Sequence, residues 1–283
     1  MRAALAALLL AACGPLQPPA ALLVEDPAAP FVVHAFTSPD LTAWTPLGAV
    51  AWSFSSLGAA VVDGELWVTG LQHLQKPTRW EELRGQLFVD LLASRDLAAW
   101  EVRRLPVDGP RGGLIDPAPL VDGERTEIWF ARVPGTGDPA QGARPTLLFT
   151  GRLAEGRFGA VGPWAEGTDL LDPAPVRFRG RQRVFATRGH REVVEVFAED
   201  APRVILPDAT VPHALVVGDE LWLLAQQHRE GRKVPILAKS SDGAHWSEPA
   251  VLDPDPHLRT CASPVLEPWG EGWVLLCVEE KGR

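Results

Sequence analysis

Ile115-Asp116-Pro117-Ala118-Pro119 and, further along, Leu171-Asp172-Pro173-Ala174-Pro175 open two stretches of one design. Each starts as an apolar run, turns at a glycine (Asp122-Gly123 in one, Arg179-Gly180 in the other) and returns as a second run rich in Trp or Phe. The plan recurs at 58–69 around Asp63-Gly64, at 213–225 around Gly218-Asp219 and at 262–278 around Trp269-Gly270. A two-residue Asp-Gly turn supplies the positive φ that a tight hairpin needs. Each stretch therefore reads as a β-hairpin, its strands A and B.

A second unit follows most of these hairpins: an apolar strand, then Ser-x-Asp-x-x-x-Trp, then another strand. It occurs at 38–44 (SPDLTAW), 94–100 (SRDLAAW) and 240–246 (SSDGAHW). These heptads resemble the Asp-box turn of sialidase-like propellers, which implies a structural role: the Asp binds the turn's own backbone and the Trp packs on the neighbouring sheet. Two hairpins make a four-stranded blade. The chain begins with a lone C–D unit (31–47) and ends with a lone A–B unit (262–279), so the last blade is expected to be assembled from both termini. The expected fold is an all-β, five-bladed propeller over 31–283. Its third blade is short, with a degenerate second hairpin. A β-sandwich would leave the permuted ends without a reason.

The first thirty residues read differently. Met1-Arg2 precede an apolar run, 3–12, ending at Cys13. That is the form of an export signal, and it is too short to span a bilayer. Leu10-Ala11-Ala12-Cys13 resembles the lipobox of bacterial lipoproteins, which implies cleavage after residue 12 and a diacylglyceryl group on the Cys13 thiol. Residues 13–30, rich in Pro and Ala, are expected to be a flexible tether. The expected location is the cell envelope, on the outer membrane or cell surface, with the lipid as sole membrane contact. The net charge of −9 makes nucleic acid a poor partner. A monomer without cofactor or metal is expected. Cys261 and Cys277 flank the final hairpin on either side of Trp269, and on antiparallel strands they would face one another. In an oxidising compartment such a pair forms a disulfide.

Up-and-down strand order puts the D-to-A and B-to-C connections on one face, and the A–B turns and heptads on the other. The first face receives the long stretches 70–86, 133–144, 161–171 and 252–259, where binding is expected. The starts of the inner strands, strand A, lie on that side. There the chain resembles the arabinanase, levansucrase and invertase group of five-bladed glycosidases, whose axial carboxylates sit in Asp-Pro pairs. The resemblance rests on Asp116-Pro117 and Asp172-Pro173 and implies a general base at Asp116 and a pKa-setting or sugar-orienting carboxylate at Asp172. Cleaving a glycosidic bond takes one protonated and one ionised group, and crowded carboxylates separate their pKa values to provide them. The group's acid, a Glu in Glu-Gly-Pro, is absent. The fourth inner strand carries Val211-Pro212-His213, which makes His213 the candidate acid, with Glu81 and Glu82 as alternatives. The corresponding places in the other blades are Ser55-Ser56 and Ser263. Trp52, Trp80 and Trp164 fall on the same face and are candidate sugar platforms, with Glu81 beside Trp80. His73 and His228 follow strand B there and are expected to be exposed loop residues.

A sialidase is excluded by chemistry, because its nucleophile is Tyr and this chain has none. The residues thus support a carbohydrate ligand and two readings: a glycoside hydrolase, or a non-catalytic glycan- or protein-binding lipoprotein that has lost its acid. Cys13→Ala is expected to leave the protein unlipidated and released from membranes by a salt wash; fractionation followed by blotting checks this, and retention without detergent would refute it.

Overall fold

The computed structural model describes residues 19–73, 88–108, 114–123, 125–132 and 145–281. The chain enters the fold through β1 (Phe31–Ser38) and β2 (Thr45–Trp52). Blade one is then β3 (Phe54–Val62), β4 (Glu65–Gln72), β5 (Phe88–Ser94) and β6 (Glu101–Pro106). Blade two is β7 (Leu114–Asp122), β8 (Arg125–Arg132), β9 (Pro145–Ala154) and β10 (Arg157–Thr168). Blade three is β11 (Leu170–Phe178), β12 (Arg181–Arg188), β13 (Glu192–Val196) and β14 (Arg203–Pro207). Blade four is β15 (Ala209–Val217), β16 (Glu220–Arg229), β17 (Arg232–Ser240) and β18 (Ala250–Val251). The fifth sheet has the order β19 (Ala262–Trp269), β20 (Gly272–Glu280), β1, β2, so both ends of the chain share it. Phe31 pairs with Glu280 and Ser38 with Trp273 in an unbroken antiparallel register.

The inner strands touch in a closed cycle, β3 to β7, β11, β15, β19 and back to β3, which makes the sheets the blades of a five-bladed propeller. Two expectations are corrected. Blade three is complete: β13 and β14 pair from Glu192–Pro207 to Glu195–Arg203, although the short segment lacks a Ser-x-Asp heptad. The stretch 161–171 is not a loop, since β10 runs to Thr168 and β11 begins at Leu170.

Apolar seams between blades hold the ring. Val33, Leu66, Val265 and Leu276 fill the seam of blades five and one, all fully buried. Trp129, Leu148, Leu170 and Val184 fill that of blades two and three. Between blades four and five the Trp222 and Trp273 rings stack 4.9 Å apart. Burying one such side chain contributes about 1.5–3 kcal/mol, so the five seams are the main source of stability. The segment expected to be a tether is, from Pro19 onward, part of this packing. A 3₁₀ turn at Pro19–Leu23 lies against β2 and β6, and Leu22 is fully buried.

The three heptads fold alike. The Asp40 carboxylate accepts from Thr42 N–H at 2.9 Å, that of Asp96 from Ala98 N–H at 2.9 Å and that of Asp242 from Ala244 N–H at 2.7 Å. The Ser hydroxyl oxygen accepts from the fourth residue, Leu41, Leu97 or Gly243, at 2.9, 2.9 and 2.7 Å. That fourth residue has positive φ each time, 69°, 62° and 76°. The local bonds explain the spacing: they satisfy the tight connection between strands C and D without help from the rest of the fold.

Cys261 and Cys277 are joined by a disulfide, with Cα atoms 5.0 Å apart and 16 residues of separation. Cys261 N–H also donates to Lys233 O at 2.9 Å, so the bridge links the β17 end of blade four to β20. Closing a loop of this length restricts the unfolded chain by about 3 kcal/mol. Replacing both cysteines by Ala is therefore expected to lower the unfolding free energy by roughly 3 kcal/mol in denaturant titration. The oxidised wild-type domain should show neither of these thiols to a titrant after denaturation.

Candidate functional site

Every inner strand is broken at the same place by a β-bulge. The register jumps between Ser55 and Gly58, Ile115 and Ala118, Leu171 and Ala174, Thr210 and His213, and Ala262 and Val265. The first bulged residue has positive φ in all five blades: Ser56 (52°), Asp116 (53°), Asp172 (50°), Val211 (52°) and Ser263 (46°). These five residues are equivalent and encircle one end of the propeller axis. The Asp-Pro pairs are thus two members of a ring of five.

Three of the freed N–H groups of the ring are captured by the preceding blade. Asp172 N–H donates to Asp116 Oδ2 at 3.4 Å, Val211 N–H to Thr187 Oγ1 at 2.7 Å, and Ser263 N–H to Gln226 Oε1 at 2.8 Å. Gln226 Nε2 donates in turn to Thr210 Oγ1 at 3.0 Å. The Thr69 hydroxyl donates across the first seam to Pro117 O at 2.6 Å.

Asp116 is almost fully buried, while Asp172 keeps part of its surface open. The Ser56 hydroxyl donates to Asp116 and the Thr187 hydroxyl to Asp172. Burial, reinforced by the neighbouring Asp172 charge, pushes the Asp116 pKa well above the ordinary carboxylate range. Burial also raises that of Asp172, against the Thr187 hydrogen bond and the positive charges of His190 and Lys233. Two adjacent carboxyl groups result, both raised by burial, with Asp116 the more deeply shielded and Asp172 partly open and bonded by the Thr187 hydroxyl.

His213 stands apart from this pair. It lies two residues beyond the bulge, in register with Ala118 and Ala174, and Val211 occupies the position equivalent to the two aspartates. Its Nε2 is 3.0 Å from Leu266 O and 3.2 Å from Glu267 Oε1, a buried link between the inner strands of blades four and five. Neither described tryptophan joins the aspartates. Trp164 packs edge-to-face on Trp129, ring centroids 5.1 Å apart. Trp52 lines a groove with Trp100 and Trp269 on the seam of blades five and one. Trp80, Glu81 and Glu82 lie outside the described residues. His228 is exposed as expected, but His73 is not. Its Nε2 is 2.7 Å from Ser55 Oγ, its ring meets Phe31, and burial lowers its pKa to about 4.

Residues not marked by the sequence complete the site: Thr187, Gln226 and Lys233. Thr187 and Gln226 lie on strand B, pairing with Leu171 and Thr210 beside the bulges, a relation visible only after the hairpin registers are aligned.

Comparison of the sequence with protein-family models and with curated proteins finds no match. Solved structures do match in fold. An endo-arabinase from Bacteroides thetaiotaomicron superposes with a TM-score of 0.55 at 13% identity, covering 86% of this chain and 92% of that one. An alpha-L-arabinofuranosidase from Lactobacillus brevis gives 0.55 at 10% identity, covering 78% and 81%. A thermostable family-43 glycoside hydrolase gives 0.54 at 8%, covering 82% and 95%. The chain therefore shares the five-bladed architecture of these enzymes; at such identity the likeness is one of fold.

The shielded Asp116 has a consequence for stability. An unfolded Asp releases its proton near pH 4, whereas native Asp116 still holds it there. The folded state then binds more protons than the unfolded one, so this residue makes stability fall as pH rises from about 4. Asp116→Asn keeps the shape without the titration. Its melting temperature relative to wild type is expected to rise as pH is raised from about 4 and to level off once native Asp116 ionises, in thermal scans, and a constant difference would contradict a proton-retaining Asp116.

Proposed function

We propose that the protein is a lipid-anchored envelope glycosidase whose site is the axial mouth at Asp116 and Asp172, acting on an oligosaccharide or polysaccharide. The observation that carries this reading is the adjacency of two carboxyl groups at equivalent bulges of neighbouring blades, Asp116 the more deeply shielded and Asp172 partly open. Asp116 keeps its proton and serves as the acid toward the leaving oxygen. Asp172, more open and flanked by the Thr187 hydroxyl, ionises and serves as the base that activates water, or as the nucleophile. Compared with what the resemblance to axial-carboxylate glycosidases implies, the two roles are exchanged. General acid–base assistance of this kind contributes about 10²–10⁴-fold to rate. The architecture shared with arabinan-cleaving enzymes supports the substrate class. Export and lipidation at Cys13 are supported by the signal-like start, and the Cys261–Cys277 disulfide suits an oxidising compartment. In the same reading the three Ser-x-Asp heptads are Asp boxes, and the domain works as a monomer.

A second reading, a glycan-binding lipoprotein without turnover, is favoured by Val211, which puts an apolar side chain at the fourth position of the ring.

The test is a screen of the purified domain against a glycan panel, read both as bound ligand and as released reducing ends. Turnover of at least one glycan is expected, falling about 10²-fold or more in Asp172→Asn and in Asp116→Asn. Binding without release, unchanged by either substitution, would overturn the enzymatic reading and leave the second.

A further inference from the structure

The blades repeat each other closely enough that one departure stands out by charge. In three blades strand B has Glu two residues before Trp, and the indole N–H donates to that carboxylate: Trp67 to Glu65 at 2.7 Å, Trp129 to Glu127 at 3.4 Å, Trp222 to Glu220 at 3.1 Å. Blade three has Arg183 and Phe185, in register with Glu127 and Trp129. Phe185 has no N–H to satisfy, and Arg183 stands where blade two has Glu127 and blades one and four have the indoles of Trp67 and Trp222. The reversal extends along the hairpin. Arg181 is in register with Glu65 and Glu220 (blade two has Arg125 there), and Arg179 occupies the turn position that Asp63 holds in blade one, with the same φ of 50°.

Arg203 of β14 joins them. Arg183 Nε donates to Glu195 Oε1 at 2.7 Å and Arg203 Nη2 to Glu195 Oε2 at 2.6 Å. Both guanidinium groups also donate through Nη2 to Gly243 O, at 2.7 and 3.0 Å. One buried carboxylate and one carbonyl thus fix two cations, and each guanidinium carries five N–H donors in all. Arg179 and Arg181 are exposed at the rim. The nearby Asp242, held ionised by the Ala244 and His245 N–H groups and the His245 ring, adds a second negative charge beside Glu195. Four arginines therefore face two acids in a chain whose net charge is −9.

The neighbouring blade accommodates this cluster. Where the other two heptad turns place Leu41 and Leu97, both packed on apolar cores, the blade-four turn has Gly243. A Cβ there would lie 1.4 Å from Arg183 Nη1 and 2.6 Å from its Cζ. The turn does not require the glycine, since leucine adopts the same φ range twice; a side chain there would displace the Arg183 guanidinium. The result is a concave site of ≈ 680 Å³ on the face opposite the axial mouth, with the Phe197 ring, 37% exposed, in its wall.

We infer that this site binds an anionic saccharide, its carboxylate, sulfate or phosphate held by the arginines and a ring face lying on Phe197. The volume is in the range of small-molecule sites, about 300–1,000 Å³, and larger than a lone anion fills. Planar guanidinium forks match such oxyanions in geometry as well as charge. The inference goes beyond the proposed glycosidase reading and shares no residue with it.

Calorimetric titration of the full soluble domain tests it, with an oligogalacturonate, the neutral oligogalactan, inorganic phosphate and anionic phospholipid vesicles as separate probes. Binding of the oligogalacturonate alone is expected, weakened as salt is raised. Arg179→Ser with Arg181→Ser is expected to reduce affinity about tenfold or more, a change of about 1.4 kcal/mol, with the melting temperature kept. Gly243→Leu, the residue found in the sister turns, is expected to abolish binding by displacing Arg183, while Asp116→Asn leaves it unchanged. Equal affinity for phosphate alone, binding of vesicles only, no binding at all, or an unaffected rim variant would each overturn the inference. None of these outcomes bears on turnover at the axial mouth.

Discussion

At the start of each inner strand the backbone is driven into the left-handed region, and in blades three, four and five the amide that this frees is bonded by the preceding blade. For a residue with a side chain the conformation is unfavourable by about 1–2 kcal/mol. Aspartate and serine tolerate it through local hydrogen bonding; a β-branched residue tolerates it least. That Val211 adopts it with φ of 52° shows that the ring, and not the local sequence, dictates the bulge. The Thr187 hydroxyl oxygen, 2.7 Å from Val211 N, is part of what holds it there. The same constraint positions the aspartates. A bulge turns the carboxyl of Asp116 toward the neighbouring inner strand rather than into its own blade, which brings it against the Asp172 amide.

Much of this was legible in the sequence because the repeating units are local. A two-residue turn and a heptad whose Asp caps its own backbone read the same in isolation as in the ring, so hairpins and heptads appear where their spacing puts them. Closure through the termini followed from counting units. The failures were of two kinds. Blade three lacks the heptad, and its β13–β14 hairpin is held by pairing with β12 and by the Arg183–Glu195–Arg203 cluster, neither of which leaves a periodic trace. Residues 19–30 look like a linker by composition, yet Leu22 and Ala29 are buried.

The site was half legible for a related reason. Asp116 and Asp172 open identical four-residue strings, Asp-Pro-Ala-Pro, and identical strings in a repeat occupy identical places. His213 was aligned by its proline, and the register shows that the bulge counts from Val211, so the histidine falls on the seam. Trp52 and Trp164 were placed by loop topology, whereas indoles in a propeller are drawn to the seams, where their area is buried. Thr187, Gln226 and Lys233 come from strand positions with no motif of their own.

The composite fifth blade gives the molecule an order in time. Phe31–Ser38 emerges from any ribosome or export channel before the other strands of the ring, and its partner Gly272–Glu280 after them. Until then β1 is an apolar strand with an open edge, and the ends of nearly the whole chain must meet before that edge is covered. Such pairing is slow compared with local hairpins. The four internal blades have neighbours to form on early, but the velcro between first and last strand makes completion of the ring, and of its axial mouth, the final event. A chain interrupted anywhere upstream of β20 would present an unpaired strand to its surroundings, so synthesis or translocation that stalls becomes, for this protein, a problem of exposed β-edge.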